Sequence, residues 1–113
     1  MTIEELICNF LTDRLTECKA LPERPDRPFG RMVFVERTGG NGRFIRNTTV
    51  AIQSYETSMY KAAKLNDDVI AAMRNFVELP EICRVDLNSN YNFTDTETKE
   101  YRYQAVFDIK HYE

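Results

Sequence analysis

Apolar residues recur with two different periods along this chain, and the change of period divides it into elements. Near the start, Ile3, Leu6, Ile7, Phe10, Leu11, Leu15 and Cys18 keep the i, i+3, i+4 spacing of a helix with one buried stripe. Thr2 with Glu5 three residues later has the form of a capping box, and Met1 with Leu6 that of a hydrophobic staple. A second helical stretch covers residues 57–79, where Met59, Ala62, Ala63, Val69, Ile70, Met73, Phe76 and Val77 share a face. Thr57 or Ser58 is its expected N-cap, and Pro80 ends it. Later the period falls to two. Cys83, Val85, Leu87, Ser89, Tyr91 and Phe93 alternate with Arg84, Asp86, Asn88, Asn90 and Asn92, which predicts a strand with one buried and one wet face. After a polar turn over 94–100, Tyr101, Tyr103, Ala105, Phe107 and Ile109 again take one side, so two long antiparallel strands are expected. Two further extended stretches precede the second helix. Residues 31–37 are dense in β-branched and aromatic side chains, and residues 43–56 form another run, broken near Asn47.

The resulting order is α-β-β-α-β-β. It predicts a single α+β domain over residues 1–113, built as two layers with both helices packed on one face of a mainly antiparallel sheet. Between the first helix and the first strand, Pro22, Pro25 and Pro28 recur every third residue. Proline fixes φ and disfavours helix at the preceding residue, so 22–31 is an extended connector. Three of the four glycines cluster as Gly39, Gly40 and Gly42. With Asn41 they supply the positive φ of a tight turn, which makes 37–44 a hairpin tip.

The net charge of −3 argues against a dedicated nucleic-acid binder, which needs a basic face. Residues 1–10 carry two glutamates and no basic residue, so no secretory signal is expected, and no apolar run approaches the length of a membrane span. Cys8, Cys18 and Cys83 form no CxxC pair, which fits a reduced cytosolic setting.

Candidate chemistry adds little. The GGNG cluster lacks the spacing, the lysine and the following helix of a phosphate loop. His111 is the only histidine, and a lone strand histidine is more often a surface or edge residue than a ligand. Residues 95–100 resemble a calcium loop only superficially, because Lys99 stands where an oxygen ligand is required. Cys18 and Cys83 lie on apolar faces, as inert core thiols do. Asp67 and Asp68 are about 100° apart on a helix and do not converge. No acid, base and oxyanion site assemble, so neither an enzyme nor a cofactor or metal site is expected.

Charge distribution is more informative. Residues 21–47 hold six arginines (24, 27, 31, 37, 43 and 46) against Glu23, Asp26 and Glu36, a local net of +3, whereas the rest of the chain is at −6. Arginine suits interfaces because its planar fork pairs with carboxylates and stacks. The candidate assembly surface is therefore Arg24, Arg27, Arg31, Arg37, Thr38, Gly39, Gly40, Asn41, Gly42 and Arg43. The alternative is a solvated loop of mixed charge.

The connector, strand and Arg-Thr-Gly-Gly hairpin of residues 24–40, with the Tyr-Asn-Phe of 91–93 and the Arg-Tyr-Gln of 102–104, resemble the tail terminator (tail completion) proteins of tailed phages. That resemblance covers residues 22–109 by layout, and the first helix matches only in type. It implies a structural, non-enzymatic virion protein assembled in the host cytoplasm. Such a protein forms a hexameric ring on the head-proximal end of the tail tube, stops tube polymerisation and joins the head. Its partners are copies of itself, the tube protein and neck proteins. DNA passes through the lumen without sequence-specific binding, and no membrane is involved. The competing expectations are another neck component, a head-side connector or stopper, and a small ligand-binding domain or enzyme with a pocket lined by Tyr91, Tyr101 and Tyr103.

Overall fold

The structure is a computed structural model describing residues 1–26 and 30–112. Helix α1, Ile3–Arg14, starts at the expected capping box: Glu5 N donates to Thr2 Oγ1 at 3.2 Å, and Thr2 N donates back to Glu5 Oε1 at 3.2 Å. Helix α2, Met59–Arg74, is capped by Ser58, whose Oγ accepts from Lys61 N. A 3-10 turn, Phe76–Glu78, follows it. The strands are β1 Lys19–Leu21, β2 Met32–Gly42, β3 Ile45–Glu56, β4 Ile82–Asn92 and β5 Tyr101–Tyr112.

The chain is α+β, with one five-stranded sheet in the spatial order β1-β2-β3-β5-β4. Three of its pairings are antiparallel, and β1 alone pairs in parallel, with β2. The element order is thus α-β-β-β-α-β-β, which corrects the expected α-β-β-α-β-β. Three residues are too few to show a period, so β1 carries no alternation signal.

Val33 and Val35 of β2, Val50 and Ile52 of β3, and Ala105, Phe107 and Ile109 of β5 point to one sheet face. They share a core with Ile3, Ile7, Phe10 and Leu11 of α1 and with Leu65, Val69 and Met73 of α2. Phe10 meets Phe76 edge to face at 5.2 Å. Each large apolar side chain fully buried here contributes about 1.5–3 kcal/mol relative to exposure. The predicted stripe of α2 needs adjusting. Leu65 is fully buried, whereas Met59 and Val77 are exposed near the element's ends.

The alternation predicted for the fourth strand breaks at a bulge. β4 slips against β5 between Leu87 and Ser89. Val85 and Leu87 lie opposite Ile109 and Phe107 on the helix side, but Tyr91 lies opposite Gln104, on the other face. An extra residue in one strand reverses the side of everything after it. Tyr91 and Phe93 are consequently exposed on the face away from the helices, where they pack edge to face at 6.0 Å. Tyr101 and Tyr103, half-buried, stay on the helix side, so the three tyrosines expected to line a pocket do not converge. A second slip, between Ile82 and Arg84, leaves Ile82 buried and Cys83 exposed, against the expectation of a core thiol.

Candidate assembly surface

Sequence grouped the connector and hairpin arginines into one surface, but the fold separates them. Arg24 turns inward onto the helix-free sheet face. Its Nε donates to the Tyr55 hydroxyl at 3.3 Å, and its Nη2 reaches both Glu100 carboxylate oxygens at 2.9 and 3.0 Å. The Tyr55 hydrogen bond, with Glu100 beside it, holds this guanidinium above its ordinary pKa. Arg31 donates through Nε to the Thr16 carbonyl at 2.9 Å and pairs with Glu56 at 3.4 Å. Arg37 pairs with Glu4 of α1 at 3.4 Å. These three arginines fasten the chain to itself. Arg27 lies outside the described residues.

The centre of this arrangement is Tyr55, which the sequence reading missed. Its buried hydroxyl accepts from Arg24 and from Arg102 Nη1 at 3.2 Å, and donates to Gln53 Oε1 at 2.8 Å. Gln53 Nε2 donates to Gln104 Oε1, and Gln104 Nε2 donates to the Tyr91 hydroxyl. Arg102 also pairs with Glu100 and lies 4.5 Å from the Phe93 ring centroid. The network joins four segments that are far apart in sequence. The local trace is Gln53, a polar residue after the apolar Val50, Ala51 and Ile52, and its partners depend on strand register.

The glycine cluster is only partly a turn. Gly39 and Gly40 lie within β2, opposite Thr49 and Thr48, after a bulge between Arg37 and Gly39. Asn41 and Gly42 continue the ladder, opposite Asn47 and Arg46, and Asn47 Nδ2 donates to Asn41 Oδ1. Thr38, at the bulge, donates its hydroxyl to the Thr49 carbonyl. Of the three clustered glycines, only Gly42 has a positive φ, +100°. Gly40 is needed for another reason: a Cβ there would meet the Asn47 carbonyl oxygen at 2.6 Å. The tip is therefore Arg43 and Phe44, and the expected 37–44 turn shrinks to its last residues. The ladder also runs unbroken through Asn47, where a break in the second strand was expected.

Arg43 is exposed and makes no hydrogen bond or ion pair among the described residues. Phe44 beside it is 83% exposed. Ile45, 45% exposed, lies opposite Tyr112, 55% exposed, at the same end of the sheet. An arginine flanked by bare apolar side chains at a projecting tip has the composition of a contact surface. His111, expected at the surface, is instead buried: Nε2 lies 2.8 Å from Thr48 Oγ1 and Nδ1 3.0 Å from the Tyr112 carbonyl. No helix among the described residues is long and apolar enough to cross a membrane. Searches of protein-family models and of the curated proteins find no match to the chain.

Proposed function

We propose that the chain is a ring-forming structural subunit that caps the head-proximal end of a phage tail tube. The observation that carries this reading is the β2–β3 hairpin end, where Arg43, Phe44, Ile45 and Tyr112 stand exposed together. Isolated, this end leaves apolar surface in water, and contact with another protein removes it. The fold supports the role in a second way. The helices and the sheet act as two layers, and the sheet keeps free edges that a ring can cover. Arg24 and Arg31 brace the subunit, and the tip meets neighbouring proteins, the tube protein or a neck component among them. A net charge of −3 suits a lumen through which DNA slides without being held.

The test is a tube-polymerisation assay with the tail-tube protein of the same genome. Added below the tube-subunit concentration, the chain should stop elongation and appear by electron microscopy as rings on one tube end. Tubes that grow at an unchanged rate, with bare ends, would overturn the reading.

A further inference from the structure

The two outer edges of the sheet match each other in length, direction and charge. β1 pairs with Met32, Val33 and Phe34, so among the described residues no strand pairs with the outer side of residues 35–42 of β2. β4 is the opposite edge. The ladder places these runs at the same height. Gly42 is level with Arg46, Arg46 with His111, and His111 with Ile82. At the upper end, Val35 is level with Ile52, Ile52 with Ala105, and Ala105 with Asn90. The open run 35–42 therefore spans the same height as residues 82–90.

Direction also fits. β2 runs with β5, and β4 runs against β5, so the two edges are antiparallel to each other. A second copy rotated about an axis along the strands keeps every strand direction. Its β2 would meet β4 of the first copy in the antiparallel sense, which allows straight, perpendicular hydrogen bonds.

Charge selects this arrangement over a two-fold one. Arg37 is paired with Glu4, and Arg84 with Asp86, so the charges left at the level ends of the two edges are Arg43 and Glu81. β4 against β2 sets these opposite signs together, whereas pairing β4 with β4, or β2 with β2, does not bring them to each other. Arg43 follows Gly42 and Glu81 precedes Ile82, so these two come level across the junction. Both are exposed, and neither has an ion pair among the described residues.

We propose that β4 of one copy pairs antiparallel with residues 35–42 of the next, with Arg43 facing Glu81 of the neighbouring copy. This interface is head-to-tail, the kind of contact that makes a ring when its rotation closes. It rests on the ring-subunit reading and names the surface that builds the ring. A bulge at Arg37/Gly39 interrupts one edge, and bulges at Ile82/Arg84 and Leu87/Ser89 interrupt the other, which disfavours indiscriminate pairing with other strands.

The experiment compares wild type, Arg43→Glu, Glu81→Arg and the double variant by native mass spectrometry and sedimentation. Each single variant should weaken assembly by about tenfold or more in dissociation constant. The double variant, and an equal mixture of the two singles, should restore it. Hydrogen exchange at residues 35–42 and 82–90 should slow in the wild-type ring relative to the Arg43→Glu monomer. Thermal melts check that all variants fold. Rings that ignore both substitutions, singles that the double does not rescue, or edge amides that exchange equally in ring and monomer would each overturn this interface. The tube-capping assay, run on wild type, judges the functional reading separately. A wild-type chain that stays at its 13.3 kDa monomer mass at every concentration overturns the interface outright.

Discussion

The Arg37 guanidinium lies 3.4 Å from the Glu4 carboxylate, tying the strand that leads into the hairpin to the first turn of α1. Arg37 and Arg43 are therefore not equivalent, although both flank the same glycines. Arg37→Glu sets two carboxylates against each other at a partly exposed site. It should cost about 1 kcal/mol of folding stability, seen as a melting temperature lower by several degrees. Arg43→Glu should leave the melting temperature of the isolated chain unchanged. Equal melting curves for the two variants would show that the Glu4 pair does not form in solution.

Tyr55→Phe tests the polar network on the helix-free face. It keeps the ring and removes one hydroxyl with three partners, leaving Arg24, Arg102 and Gln53 each short of one hydrogen bond. The expected loss is about 1–3 kcal/mol in denaturant unfolding with an unchanged slope. A loss below about 0.5 kcal/mol would mean that water replaces the hydroxyl at little cost.

The three clustered glycines should respond differently to alanine. At Gly39 a Cβ meets nothing within 4 Å and φ is not positive, so Gly39→Ala should be neutral or slightly stabilising. Gly40→Ala forces a Cβ against the Asn47 carbonyl oxygen, and Gly42→Ala adds an unfavourable φ to a clash with the Ile45 carbonyl. Each of these two should lose about 1–3 kcal/mol. Thermal melts of the three variants give the ordering directly.

The thiols predict a pH dependence. Burial, with Glu4 and Glu5 adding to it, pushes the Cys8 thiol from its ordinary 9.0 up to about 11. The folded state then holds the proton more tightly than the unfolded one. Ionisation of Cys8 leaves stability unchanged well below pH 9, and the chain loses stability as pH rises from there towards 11. Cys8→Ser should flatten that part of the curve. At pH 8, a thiol reagent should label exposed Cys83 quickly and buried Cys8 and Cys18 slowly.

Much of the fold was legible because its signals are local. The Thr2–Glu5 box and the alternation of β5 depend on neighbours in sequence, and the structure keeps both. What escaped depends on distant partners. β1 exists because Lys19, Ala20 and Leu21 find Met32, Val33 and Phe34 alongside. The arginines looked like a shared outer surface because sequence shows charge but not the carboxylate that meets it. Glu100 lies 76 positions from Arg24, and Glu4 lies 33 before Arg37. At the candidate surface, the glycines marked the right hairpin. They drew attention away from Phe44, Ile45 and Tyr112, whose exposure follows from position at the sheet's end and not from their chemistry.

The bulge in β4 also decides which change of length the strand can take. Without Asn88, Leu87 and Ser89 would still lie opposite Phe107 and Val106, so Tyr91 would stay opposite Gln104 and Phe93 beside Arg102. Without Asn90, Tyr91 would instead fall opposite Ala105, on the helix side, and Gln104 would lose the Tyr91 hydroxyl. Insertions and deletions are ordinarily absorbed at strand ends and loops. In this strand the bulge is an internal place where one residue can go with inside and outside kept, whereas a loss two positions further on exchanges them.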